Sequence, residues 1–218
     1  MSNIYGDEHR ALQEQFETRK MADRLEEMII KDFLDPNDQA FVASRDMFFL
    51  ATVDHQGRPT VSYKGGDPGF ITIVDERTIA FPSYDGNGMF FSMGNIAGHP
   101  DIGILFIDLE VPNRLRLQGR ASVNVDDPLL DHYAEAELIV RIAIQQIWVN
   151  CPRYIHRYKK LAPSQNVPRA ECRAPLAEWK RLDTVQDVLP PKDVPRVDAA
   201  GGLITMDEYV EKVIKGEA

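Results

Sequence analysis

The stretch with the most chemistry in it runs from Thr78 to Pro100 and reads TIAFPSYDGNGMFFSMGNIAGHP. Thr78 to Phe81 has strand character, Pro82 stops it, and the polar loop Ser83-Tyr84-Asp85-Gly86-Asn87-Gly88 follows. Two glycines around an asparagine let a backbone turn its N–H groups toward a ligand. A helix opening near Met89 would add its own N-terminal N–H groups, a favourable place for an anion. The same letters also spell an ordinary Asp-Gly or Asn-Gly turn, so the loop by itself leaves both readings open. Cations stand elsewhere. Lys64 closes a β-like run before Gly65-Gly66, and Arg114, Arg116 and Arg120 fall at period two, which puts them on one face of a strand. Such a row repels itself unless an anion or carboxylates intervene. A bound anion and a solvated face paired with acids both satisfy it.

Other residues carry less. Cys151, with Arg153, His156 and Arg157 close by, has the makings of an activated thiolate. However, Cys151-Pro152 follows an apolar run and reads as a buried structural thiol. Trp148 reads as core, as do Tyr154 and Tyr158 on one face of a helix. His99, before Pro100, reads as a loop residue rather than a base. The five histidines, His9, His55, His99, His132 and His156, lie far apart and show no metal-ligand spacing.

The elements that must position these groups fall into three parts. Residues 1–44 are helical: Leu12, Phe16, Leu25, Met28, Ile29 and Phe33 predict one long helix from Asp7 to Phe33. Asp35-Pro36 ends it, and a short helix over Asp38 to Ser44 follows, capped by Asn37 or Asp38. Residues 45–160 turn to strand patterns at 48–53, 59–64, 70–74, 78–81, 102–108 and 114–125, joined mostly as hairpins. Six strands so connected predict a small antiparallel barrel without free edges, whose mouth is a natural ligand site. A helix from Asp127 to about Ile139 or Arg141, a strand over 142–149 and a short basic helix over 151–158 complete this part. Residues 161–218 form a loosely packed extension with six prolines between Ala162 and Pro195, ending in a helix that Thr205-Met206-Asp207-Glu208 opens as a capping box and that runs to about Lys215.

The net charge of −9 over 218 residues argues against phosphate-backbone binding as the main activity. No apolar run approaches the roughly 18 residues needed to span a bilayer, and MSNIYGDEHR is polar and acidic, unlike a signal region. Two cysteines, Cys151 and Cys172, suit a reducing compartment. A cytoplasmic protein with no nucleic-acid and no membrane partner is expected.

The order and spacing of FFLATVDHQGRPTVSYKGG, TIAFPSYDGNGMFFSMGNI, HPDIGILFID and NRLRLQGRASV resemble the FMN-binding split-barrel family of pyridoxamine 5′-phosphate oxidase, over about Phe41 to Val125 and more weakly to Tyr158. The resemblance is to the flavin-nucleotide-binding branch, with a glycine-asparagine loop and a CPRY segment. It implies a mainly β fold, a six-stranded antiparallel split β-barrel with flanking helices. It also implies FMN as cofactor and a homodimer with two sites at the subunit interface. Carried over by position, it places Ser62, Tyr63 and Lys64 along the flavin and its phosphate. Phe81, Pro82, Ser83, Gly86, Asn87 and Gly88 would hold the flavin edge and phosphate, and Arg114 and Arg116 would reach the flavin across the dimer. Where the oxidases carry basic residues after the fourth strand, this chain has Asn87-Gly88-Met89, so phosphate charge must come from Lys64, Arg116, Arg120 or Arg153 with backbone N–H groups. The resemblance implies an FMN-dependent oxidoreductase acting on a small molecule. The alternative is a non-catalytic protein that binds, stores or senses a flavin, haem or a deazaflavin. Flavin chemistry needs no catalytic side chain, in keeping with the lack of a triad or carboxylate pair.

Overall fold

A computed structural model describes residues 4–171 and 173–217; Cys172 lies outside them. The chain forms two compact units, Met1–Ala162 and Pro163–Ala218.

In the first unit the run MFFLATV alternates along β1 (Met47–Val53), burying Phe48, Leu50 and Thr52. With β2 (Pro59–Gly65), β3 (Thr72–Asp75), β4 (Thr78–Tyr84), β5 (Asp101–Asp108), β6 (Asn113–Asn124) and β7 (Ala136–Asn150), it forms one antiparallel sheet in the order β2-β1-β5-β6-β7-β4-β3. Helices flank the sheet, as the split-barrel resemblance implies, but it does not close: β2 and β3 remain edges. It curls far enough that Phe48 of β1 meets Phe81 of β4 edge-on at 5.0 Å, with Phe106 at 5.6 Å and Phe70 stacked at 5.7 Å. These rings anchor the inner face. The loop from β2 to β3 brings Phe70 beneath Phe48 instead of pairing the two edges, and a Cβ on Gly66 would run into the Phe70 ring.

The sheet has seven strands where the resemblance implies a six-stranded barrel; the seventh, expected over 142–149, starts already at Ala136 because the helix expected from Asp127 is a single 3-10 turn, Pro128–His132. The following ELIVRIAI is β-branched and alternating, and it pairs with both β4 and β6. Buried Asp127 accepts from Leu129 N at 3.0 Å and from Arg141 Nε and Nη2 at 2.6 and 2.8 Å, which pins the turn onto β7.

The N-terminal helix is also broken, into α1 (Asp7–Gln15) and α2 (Arg19–Ile29), at Glu17 with φ +55°. The five-residue step from Phe16 to Met21 fits no single helical stripe. Lys31 then exchanges both backbone hydrogen bonds with Ile147, at 3.0 and 2.7 Å, so the chain continues as a β-bridge. α3 (Pro36–Ala43) is capped by Asp35, earlier than Asn37 or Asp38, because Pro36 fits the first helical position.

The short helix expected over 151–158 does not form. The chain turns at Pro152, with Tyr154 at φ +69°, and runs past the β5–β6 turn, where Tyr158 N donates to Leu109 O at 2.9 Å and Lys160 Nζ bonds Asp46 at 2.5 Å. Cys151 is exposed rather than buried, and Tyr154 and Tyr158 are exposed rather than core. The second unit is better packed than a loose extension. It has 3-10 turns at Glu178–Arg181 and Asp183–Val188, α5 (Val194–Ala199) and α6 (Met206–Lys215). Leu176, Leu189 and Val197 form a small core beside a buried Lys180–Asp193 ion pair at 2.7 Å. The Thr205–Glu208 capping box opens α6 as expected. Among the described residues no helix is long and apolar enough to cross a membrane.

Candidate functional site

Strand register sorts the candidate residues by face. Lys64 pairs with Phe48 and Ser62 with Leu50, so both side chains share the inner face with those core residues. On β4, Phe81 points inward to Phe48 and Ser83 follows on the same side by alternation. Burial pushes the Lys64 ammonium below its usual range, and among the described residues no carboxylate pairs with it. A desolvated cation without a counter-charge is costly unless an anion joins it.

The loop after β4 leads into α4 (Phe91–Gly98). Phe90 precedes the helix at φ +46° and no side chain caps it, so the first N–H groups of α4 keep their hydrogen-bonding capacity. Ser92, in the first turn, places its Oγ 3.1 Å from Ser62 Oγ. The helix is held by buried Asn95, whose Nδ2 donates to Thr52 Oγ1 of β1 at 3.0 Å. Open space lies beside the Cα of Gly86 and of Gly88, the latter at φ +74°. Asn87 is turned onto its own loop: its Oδ1 accepts from Met89 N at 3.1 Å and its Nδ2 donates to Met89 Sδ at 3.2 Å. The asparagine therefore shapes the turn, and the space above it belongs to the glycines.

The remaining candidates lie on the opposite face. Tyr63 pairs with Phe49, meets it edge-on at 6.2 Å and is mostly exposed. Pro82 is buried against β7 opposite Ile139, beyond the last β3–β4 pair, where its missing N–H breaks no ladder. Leu115 and Leu117 take the inner face of β6, which turns Arg114, Arg116 and Arg120 outward. Arg120 faces Asp101 at 3.8 Å, whereas Arg114 and Arg116 have no carboxylate partner among the described residues. Arg114 Nε is buried without a hydrogen-bond partner, next to Asn150, whose Oδ1 is likewise unsatisfied. Near the loop, burial and the neighbouring Tyr133 and Asp67 push the Tyr84 phenol up to about 12, so it stays protonated and a donor.

One chain thus brings together Ser62, Lys64, Phe81 and Ser83 with the glycine loop, and separates them from Tyr63, Arg114 and Arg116. Sequence reasoning did not single out Ser92 or Asn95. A serine in the first turn after a Gly-Asn-Gly loop was the available signal for the first; nothing local marks Asn95 as the tie to Thr52. One ammonium, two hydroxyls and an uncapped helix end form a donor set that fits a phosphate group. Among the described residues no group of three or more His, Cys, Asp or Glu could hold a metal ion.

The family model described as pyridoxamine 5′-phosphate oxidase matches residues 34–165. No curated protein matches the chain. Among solved structures, the chain is similar to a putative pyridoxamine 5′-phosphate oxidase from Lactobacillus delbrueckii, with 20% identity, TM-score 0.45, and coverage of 56% of this chain and 99% of that one. It is also similar to HutZ, a haem storage protein from Vibrio cholerae, at 22% identity and TM-score 0.40, covering 53% and 94%. An FMN-binding protein from Syntrophomonas wolfei aligns at 12% identity and TM-score 0.42, covering 64% and 97%.

Proposed function

The chain belongs to the pyridoxamine 5′-phosphate oxidase family, and from that premise we propose that it binds FMN through residues 45–160 and acts as a cytoplasmic oxidoreductase on a small molecule. The observation that carries this reading is Lys64, a desolvated ammonium with no carboxylate partner among the described residues, on the same inner face as Ser62. Lys64 neutralises part of the phosphate charge, while Ser62, Ser92 and the first N–H groups of α4 donate hydrogen bonds to it. Gly86 and Gly88 leave room for close approach, and Phe81 and Ser83 line the β4 side. Bound FMN supplies hydride and single-electron transfer, so the chain's task is to hold and orient it and to admit a substrate.

On this reading the protein is a homodimer. The outer face of β2, β1 and β5 carries Val61, Tyr63, Phe49 and Leu105 with exposed Val61 and Tyr63, a surface suited to a second copy. Arg114 is turned away from the inner face, so on this reading it serves a cofactor held by the partner. The test is titration of purified protein with FMN, followed by flavin fluorescence and absorbance, and then addition of NAD(P)H. Saturable quenching and reduction of the bound flavin are expected. Binding without turnover would support a storage or sensing role instead. A haem band in place of flavin absorbance, or no binding, would overturn the FMN reading.

A further inference from the structure

The N-terminal helices invert the usual arrangement of a soluble hairpin. α1 and α2 meet through charge: Arg10 Nη1 bonds Asp23 at 2.7 Å and its Nη2 lies 3.7 Å from Glu26, while Arg19 contacts Glu14 at 2.8 Å and Asp23 at 3.6 Å. The apolar side chains stay in solvent. Leu12 and Phe16 are four apart, and Met21, Leu25 and Met28 follow at helical spacing. Phe16 and Met28 are each 68% exposed, and neither helix buries a residue. Helices of nine and eleven residues are shorter than the roughly 12–15 residues that a lone helix needs in water. Exposed ion pairs add little. Hydrophobic burial is the missing contribution, so the stripe needs a cover.

We propose that a second copy of this chain supplies it: the α1–α2 hairpin of each protomer packs across the outer sheet face of its partner. This rests on the dimer proposed above and is independent of the flavin reading. Two observations select this occupant. The hairpin is rooted where Lys31 bridges Ile147, on the edge of β7 and one strand from the outward arginines of β6, so it leaves the sheet beside the face assigned to the partner. Its charge complements that face as well. Residues 7–30 hold seven carboxylates against four Lys and Arg, whereas that face continues onto β6 beside β5, where Arg116 and Arg120 are exposed with Asp101 beside them. Its apolar part, with Val61 65% and Tyr63 62% exposed, suits Phe16, Met21 and Met28. The same negative excess works against docking on an anionic lipid surface.

The test is amide hydrogen exchange on the full-length protein at concentrations on either side of the dimer dissociation constant measured by ultracentrifugation. Amides of Asp7–Gln15 and Arg19–Ile29 are expected to exchange at least tenfold more slowly in the dimer, together with those of β2. Replacing Phe16→Glu with Met28→Glu is expected to raise the dissociation constant by about 100-fold or more, since each apolar side chain loses its burial. Hairpin amides equally protected in the monomer would show that the chain covers its own stripe and would overturn the proposal. So would hairpin amides that exchange freely in the dimer, or protection that appears only on phosphatidylserine vesicles. A protein monomeric at every concentration would overturn both the hairpin and the dimer, while the FMN reading would still stand or fall by its own titration.

Discussion

Lys64→Met separates a ligand-binding lysine from a structural one. The substitution keeps an unbranched apolar stem and removes the charge. A hydrogen bond to a charged partner contributes about 1.5–3 kcal/mol, so the dissociation constant for FMN should rise about 10- to 150-fold. The effect on the unliganded protein has the opposite sign. Burial holds the folded-state pKa of Lys64 below its ordinary value, so the charged lysine weighs against folding throughout the range in which the unfolded chain carries that charge. The penalty fades as pH rises through the depressed folded pKa toward 10.5 and above. At neutral pH the Met variant should therefore melt above wild type without ligand and gain less from saturating FMN. Thermal unfolding with and without FMN reads both effects. The wild-type affinity should also decline with rising pH before 10.5 is reached, a limb the variant lacks. An unliganded variant less stable than wild type, or one that binds FMN unchanged, would refute the reasoning.

Asn95→Ala removes the buried Asn95–Thr52 bond that seats α4 and leaves a buried hydroxyl without its partner; urea unfolding should show a loss of about 1–3 kcal/mol. Gly119→Ala would put a Cβ 2.5 Å from Ala143 O at the β6–β7 bulge, and overpacking of about 1–3 kcal/mol or more should lower the urea midpoint. Asp54 accepts from the Arg58 side chain, Arg58 N and Gln56 N, which hold its carboxyl at about 2. Because the folded pKa is depressed, this stability is complete above the ordinary 3.8 and is lost as pH falls through about 2. Acid unfolding of wild type should be steeper over that interval than that of Asp54→Asn.

Local pattern was enough for the strands up to β6, because alternation and turn residues act over a few positions: Asp54-His55-Gln56-Gly57 and Asp75-Glu76-Arg77 mark their hairpins directly. It misled where a long-range partner decides. Asp127-Pro128 looks like a helix start, and Asp127 does cap the turn through Leu129 N, but the same carboxylate also binds Arg141, fourteen residues away on β7, and the chain becomes strand after one 3-10 turn. CPRYIHRY has helical composition, but Pro152 and the left-handed Tyr154 turn it into a strap along the β5–β6 turn. The candidate residues could be named from the sequence, but not their geometry. Register alone decides that Ser62 and Lys64 face inward while Tyr63 between them faces out. No spacing rule could show that Asn87 would spend its side chain on Met89.

The central claim, a phosphate-bearing flavin held by Lys64, Ser62 and the start of α4, is tested most directly by native mass spectrometry of the protein as purified, with release of the ligand on denaturation. The account predicts the mass of FMN, one per protomer, and a sharply reduced occupancy in Lys64→Met. A wild-type protein that carries no ligand and stays unloaded after incubation with FMN would contradict it.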